Sequence, residues 1–319
     1  MTEHAVYVCT DPGVPAFGRK GCSIHVQAVL RELVARVARV DLVTARIGGP
    51  PPPGLEDVVV HELSRPSGLA PAAAERALVA MDAAAARTTA ALLTADADRR
   101  SPAIVMQRYS LWSCEVMELA RATVARGVLE LNAPLIDEQA NHRSLVDVHT
   151  ATARTRRAIR AAHRPYAVST AVAGWASTLA GVPVGVVANG VDAQRFASAR
   201  RSAPDGPLTI AFVGTFRPWH GLEELTTAAA AVSATGREVR LLLVGDGPER
   251  AAMVERARRS GVTVHAVGAV DNSAVPGLLA GADVAVAPYP AGDHYFSPLK
   301  VVEYLAAGLP TVAAAVGDL

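Results

Sequence analysis

The chain has 319 residues, half of them apolar, with 31 basic and 30 acidic side chains and a formal net charge of +1. That length suits about two domains with substantial cores. The balanced charge excludes a dedicated nucleic-acid binder, which would carry a basic excess, and with 4% aromatic residues the chain lacks stacking platforms for single strands. Cys9, Cys22 and Cys114 show no metal-ligand spacing and fit small buried hydrophobes in a reducing compartment. No run of about twenty apolar residues and no basic-then-apolar leader is present, so a cytoplasmic chain, soluble or peripheral to a membrane, is expected.

In chain order, residues 4–10 read as a buried strand and 11–21 as a glycine-rich loop. A helix follows over 22–37, with Val26, Val29, Leu30, Leu33, Val34 and Val37 at three- and four-residue spacing. His25 lies at the edge of that stripe and reads as a solvated flank. Such a strand, loop and helix form a βα unit whose backbone can approach a ligand closely. Short strands are expected at 40–43 and 58–63, joined by a stiff proline-rich surface connection. An alanine-rich helix over 71–95, a strand over 103–107, a helix over 111–126 and a strand over 128–135 come next. Asn132 therefore sits at a strand end, and Glu138 in the first turn of the helix that opens at 136.

Arg154, Arg156, Arg157 and Arg160 form the one basic run. It reads as a solvated helix face, with contact to anionic lipid as the alternative. A strand over 166–169, a helix over 170–180 and a strand over 183–188 precede a polar, Gly- and Pro-containing linker over 197–207. Domains of 1–200 and 201–319 are the resulting expectation.

The second half alternates strand and helix. A strand over 208–213 runs into the turn Gly214-Thr215-Phe216-Arg217-Pro218-Trp219-His220-Gly221. A strand over 241–244 runs into Gly245-Asp246-Gly247-Pro248, and one over 262–267 into Gly268-Ala269-Val270. After the strand over 282–288, the stretch from Asp293 to Pro310 reads as a loop, a Ser297-Pro298 helix start, a short helix stopped by Gly308, and a strand from Thr311. Lys300 and Glu303 share one face near the start of that helix, where exposed N–H groups and the dipole favour an anion. Lys20 and Lys300 are the only lysines in a chain whose other basic residues are arginines. A compact ammonium suits phosphate as a point charge, whereas a plain surface pair with Glu303 would add little.

Taken together and in order, these phrases resemble the retaining glycosyltransferases of the GT-B fold, family GT4. The resemblance rests on Asn189-Gly190-Val191-Asp192 with Phe196, the turns at 214–221 and 245–248, Gly268 to Val270, and Ser297 to Pro310. It implies an α/β chain of two Rossmann-like domains facing a cleft. The chain stops at Gly317-Asp318-Leu319, so the second domain is expected to be incomplete.

By the same resemblance, Lys300 and the backbone of Ser297, Pro298 and Leu299 would hold the donor diphosphate. Arg217 and His220 would assist, with Gly214, Gly245 and Gly247 in the turns. Glu303 would bind the donor ribose and the backbone around Val270 the base. Tyr295 stands where the family carries its first acid, and Asn132 where it often carries a histidine; the subgroup reading Tyr-Phe-Ser-Pro-Leu-Lys and Asn-Ala-Pro-Leu shares both departures. Gly18, Lys20, Gly21, His25 and Glu138 would lie on the acceptor side. The implied activity is metal-independent transfer of a sugar from a nucleoside diphosphate sugar to a hydroxyl of a glycan, lipid or small molecule, with no further cofactor. A nucleotide-sugar epimerase of the same architecture and an inactive nucleotide-binding or partner subunit are the alternatives. A dinucleotide oxidoreductase is disfavoured, since no Gly-x-Gly-x-x-Gly follows the first strand.

Overall fold

The computed structural model describes residues 3–95, 102–197, 206–292, 294–295 and 297–319. The chain divides into two compact units: one holds the residues up to Ala188 with the stretch Tyr295–Ser297, the other Asn189–His294 and Pro298–Leu319. The division falls at Ala188 rather than at the expected 200. The reason is packing: Val191 and Phe196 lie in one cluster with Ala211, Leu242, Leu279 and Tyr304 of the second unit. Residues 198–205 of the expected linker, and Asp293 and Phe296 of the motif, lie outside the described residues.

The first unit runs β1 (His4–Cys9), α1 (Gly21–Val34), β2 (Arg39–Thr44), β3 (Val59–Glu62), α2 (Pro71–Thr94), β4 (Ile104–Arg108), α3 (Glu115–Ala122), β5 (Arg126–Leu131), α4 (Leu135–His142), α5 (Val148–Ala161), β6 (Arg164–Ala167), α6 (Thr170–Ala180) and β7 (Gly185–Val186). Its strands form one parallel sheet, ordered β3-β2-β1-β4-β5-β6-β7. Strands buried on both faces read as continuous apolar runs, and all of His4–Cys9 is buried. The strand order reverses between β1 and β4, so the loops after these strands open a crevice at the carboxyl ends, where such sheets bind ligands.

The second unit continues with α7 (Gln194–Ala197), β8 (Leu208–Val213), α8 (Leu222–Ser233), β9 (Val239–Val244), α9 (Arg250–Arg259), β10 (Thr263–Gly268), α10 (Val275–Leu279), β11 (Val284–Ala287), α11 (Leu299–Ala306) and β12 (Thr311–Ala313). Its parallel sheet is ordered β10-β9-β8-β11-β12, so its reversal lies between β8 and β11. The units are thus two Rossmann-like α/β domains, as expected.

Three local expectations are corrected by tertiary bonds. The helix expected over 111–126 shrinks to α3, because buried Asp82 on α2 accepts from the Cys114 and Glu115 amides (2.8 and 2.9 Å) and fixes the helix start there. At the other end Thr123 is extended, and the Arg126 amide donates to the Ala103 carbonyl to begin β5, which ends at Leu131 and leaves Asn132 in the following turn. Secondly, the arginine run is not a free basic face. Arg154 is buried against Asp82 (2.7 Å) and the Trp112 carbonyl, and Arg157 grips Glu118 bidentately. Arg156 and Arg160 donate to the Leu179 and Ala180 carbonyls at the end of α6.

Thirdly, α2 is long and apolar enough to cross a membrane, although no such run was expected. Its Met81, Ala85 and Leu92 are buried, and Glu75 accepts from the Val146 and Asp147 amides. These contacts pack one face of the helix on the core of the first unit.

Candidate functional site

In the second unit the residues singled out by sequence gather at the carboxyl ends of β8, β9 and β11. The turns after β8 and β9 are stacked backbone on backbone: the Gly214 amide donates to Val244, the Phe216 amide to Asp246 and the Gly245 amide to Gly268. Gly245 has φ +121°, and a Cβ there would lie 2.0 Å from the Gly214 carbonyl oxygen, so only glycine permits the approach. At Gly247 a Cβ would lie 2.6 Å from the Phe216 amide nitrogen. Val270 packs its side chain into the core beside Val275 and Leu279.

Lys300, in the first turn of α11, points its Nζ back across Gly214, where a Cβ would come within 3.0 Å of it. The ammonium stands 4.4 Å from the centre of the Phe212 ring and 5.2 Å from that of Tyr289. It is shielded from solvent and has no hydrogen-bond partner. No ion pair with Glu303 forms; instead Asn272 donates to Glu303 at 3.2 Å and Arg195 holds the Asn272 carbonyl at 2.8 Å. Burial lowers the Lys300 pKa to about 7, with Glu303 only partly opposing it. Burial also pushes the Glu303 carboxyl up, against Asn272, Arg195 and Lys300.

His220 shares the same two rings, 5.7 Å from Phe212 and 5.9 Å from Tyr289 between centres. It is buried, its Nδ1 lacks a partner, and burial followed by the Lys300 charge drives its pKa down to about 3. Arg217 does not join this cluster. It is exposed, lies 5.8 Å over the Trp219 ring, and lines a groove of about 250 Å³ with Glu223, Glu249 and Pro290. Pro298 immediately precedes α11, so the Leu299 and Lys300 amides open that helix.

In the first unit, Tyr295 packs on the core and its hydroxyl donates to Glu138 at 3.3 Å, while its carbonyl accepts from Ser169 Oγ. Burial, then the Glu138 charge, raises the Tyr295 pKa to about 12. Ser297 belongs to the same short stretch. Asn132 follows β5 with its Oδ1 buried and unpartnered.

The glycine-rich loop is tied down by Ala16 and Phe17 amides on the Arg46 and Ile47 carbonyls, and by Gln27 donating to the Ala16 and Gly18 carbonyls. Lys20 and Gly21 are exposed at the start of α1. His25 is not a solvated flank: its Nε2 lies 2.6 Å from Oε1 of Glu130, which is buried. Tyr166 donates to the same oxygen at 2.9 Å and Arg108 approaches the other at 3.7 Å. Arg108, Glu130 and Tyr166 are in register on adjacent strands. Burial opposes the Glu130 charge, but His25, Arg108 and Tyr166 outweigh it and hold the carboxyl below its ordinary value. His25→Ala is expected to cost about 1.5–3 kcal/mol, the worth of a hydrogen bond to a charged group; urea denaturation measures it.

Sequence reading missed Phe212, Tyr289, Gln27, Asn272 and Glu130. Of these only Tyr289 carried a signal, its place between two prolines just after a strand. Among the described residues no group of three or more His, Cys, Asp or Glu side chains is placed to hold a metal ion.

Residues 207–319 match the family described as Glycosyl transferases group 1. A glycogen synthase of Mycobacterium tuberculosis is 31% identical over 138 residues, 42% of this chain and 32% of that protein. A GDP-mannose-dependent alpha-(1-6)-phosphatidylinositol dimannoside mannosyltransferase of the same species is 41% identical over 88 residues, 27% of this chain and 22% of that protein. The chain thus spans a third or less of the length of these curated relatives. The solved sucrose-phosphate synthase of Thermosynechococcus elongatus superposes with a TM-score of 0.68 at 21% identity, over 99% of this chain and 82% of that one. That likeness places the chain in the GT-B fold.

Proposed function

We propose that this chain, whose residues 207–319 match the group 1 glycosyl transferases, transfers a sugar with retention from a nucleoside diphosphate sugar to a hydroxyl acceptor. The observation that carries the reading is the Lys300 Nζ, buried without a hydrogen-bond partner at the switch point of the second sheet and at the start of α11. A buried basic side chain is costly to ionise without a counter-charge, and a diphosphate would supply that charge. The mannosyltransferase relative, GDP-mannose-dependent by name, supports this donor class.

In this reading Lys300 and the amides opening α11 stabilise the charge that develops on the departing diphosphate. Preorganised donors of this kind supply a large share of catalysis in such chemistry. His220 completes the cradle, Glu303 meets the ribose, and the backbone near Val270 meets the base. Arg217 would have to leave Trp219 to reach a phosphate. Tyr295 and Asn132 are proposed on the sugar side, and the loop with Gly18, Lys20 and Gly21, together with His25 and Glu138, on the acceptor side.

Thermal shift with UDP, GDP and ADP tests the binding step. Proton NMR of the product anomer, with each donor sugar and a panel of hydroxyl acceptors, tests the transfer. A retained anomeric configuration is expected, whereas isomerised sugar from donor alone would point to an epimerase.

A further inference from the structure

We propose that filling the Lys300 cradle is coupled to proton uptake: the empty site holds Lys300 and His220 without their charges, and the diphosphate brings the Lys300 proton in with it. This rests on the donor reading above. Two basic side chains converge on the same pair of rings, Phe212 and Tyr289, with their Nζ and Nδ1 atoms buried and unpartnered. Among the described residues no carboxylate closes on either. Glu303, one turn along α11, is bonded to Asn272, with Arg195 behind it.

Among the described residues, the remaining titratable neighbours do not supply the missing charge. Tyr304, on the same helix, accepts from the Val213 amide through its hydroxyl oxygen at 2.8 Å, and burial raises its pKa. Burial likewise raises that of Tyr289. From the β8–α8 turn Arg217 adds a further positive charge toward His220, and His294 stands against Tyr289 at 5.8 Å. Two like charges in one dry pocket exclude each other, and desolvation disfavours both. The low Lys300 value of about 7 agrees with this arrangement. A bound diphosphate reverses both terms and returns the ammonium toward its ordinary range.

The consequence is a pH-dependent affinity with a definite sign. Above about pH 7 the empty cradle has lost its proton, so binding must recover one, and affinity falls as pH rises. At pH 8 the terminal phosphate of a nucleoside diphosphate, which titrates near pH 6, is already ionised and contributes little. Calorimetry with UDP, GDP and ADP at pH 8, in Tris and in HEPES, is expected to show uptake of about one proton per nucleotide bound. Kd should weaken about tenfold per pH unit from pH 8 to 9.5. Lys300→Arg keeps a fixed charge, so it should bind with no proton uptake and a flat pH dependence.

Tight binding by the unaltered protein with no buffer-dependent enthalpy and a flat Kd would overturn the proton coupling and leave the donor reading standing. Binding by none of the three nucleotides at any pH overturns both. Because the unaltered protein decides the matter by itself, poor folding of the arginine variant does not blunt the test.

Discussion

Replacing Lys300 with alanine is expected to lower donor turnover by about 10²–10³-fold, the range for removing one preorganised donor at a developing anion. The physical basis is that Lys300 Nζ is the buried basic nitrogen nearest the opening of α11, and among the described residues no other group stands ready to replace it: Arg217 lies over Trp219 and His220 is held neutral. The loss should fall on turnover at saturating donor as well as on donor affinity, since the interaction strengthens as charge builds on the leaving group. Folding should survive, because the ammonium makes no hydrogen bond in the empty site. Consumption of the nucleotide sugar, followed with a melting curve on the same sample, measures both. An unchanged rate removes Lys300 from its assigned role.

The largest expected effect on stability is at the opposite kind of site. Asp82→Ala removes the buried carboxylate of Arg154, leaving it only the partly exposed Glu115 at 3.2 Å, and leaves the Cys114 and Glu115 amides without that acceptor. Removing one partner of a buried pair costs about 3–5 kcal/mol, which for a unit of this size lowers the melting temperature by roughly 10 °C. Asp82→Asn separates the contributions. An amide oxygen still accepts from the start of α3 but no longer balances the guanidinium, so an intermediate melting temperature is expected. Calorimetric melting of the three proteins decides it, and equal values would show that the Asp82–Arg154 bond carries no net stability.

The difference between these two sites also explains what could be read in advance. Lys300 was legible because it is a compositional outlier: one of two lysines, placed where a proline opens a helix. The Gly214, Gly245 and Gly247 turns were legible because glycine at a strand end has few physical uses. The helix over 170–180 and the strand over 208–213 follow from local pattern alone, and both are found with those limits. By contrast His25 pairs with a residue 105 positions away, and Arg154 with one 72 positions away. Periodicity in a window of a dozen residues carries no information about such partners. An arginine run therefore looked like a solvated face, and a histidine on a stripe edge like a solvent-facing flank.

By itself the sequence determined the alternation of strand and helix, the two α/β units and the positions of the turns, because these depend on hydrophobic spacing and on backbone freedom at particular residues. It also placed a lone ammonium at the start of a helix. Only the tertiary structure decided which polar atoms are left without partners. The packing of Phe212 and Tyr289 around Lys300 and His220, the diversion of Glu303 to Asn272 and the closing of His25 on Glu130 all join segments far apart in the chain. Burial and long-range pairing set the charge of each group, and both are properties of the folded chain rather than of any stretch of it.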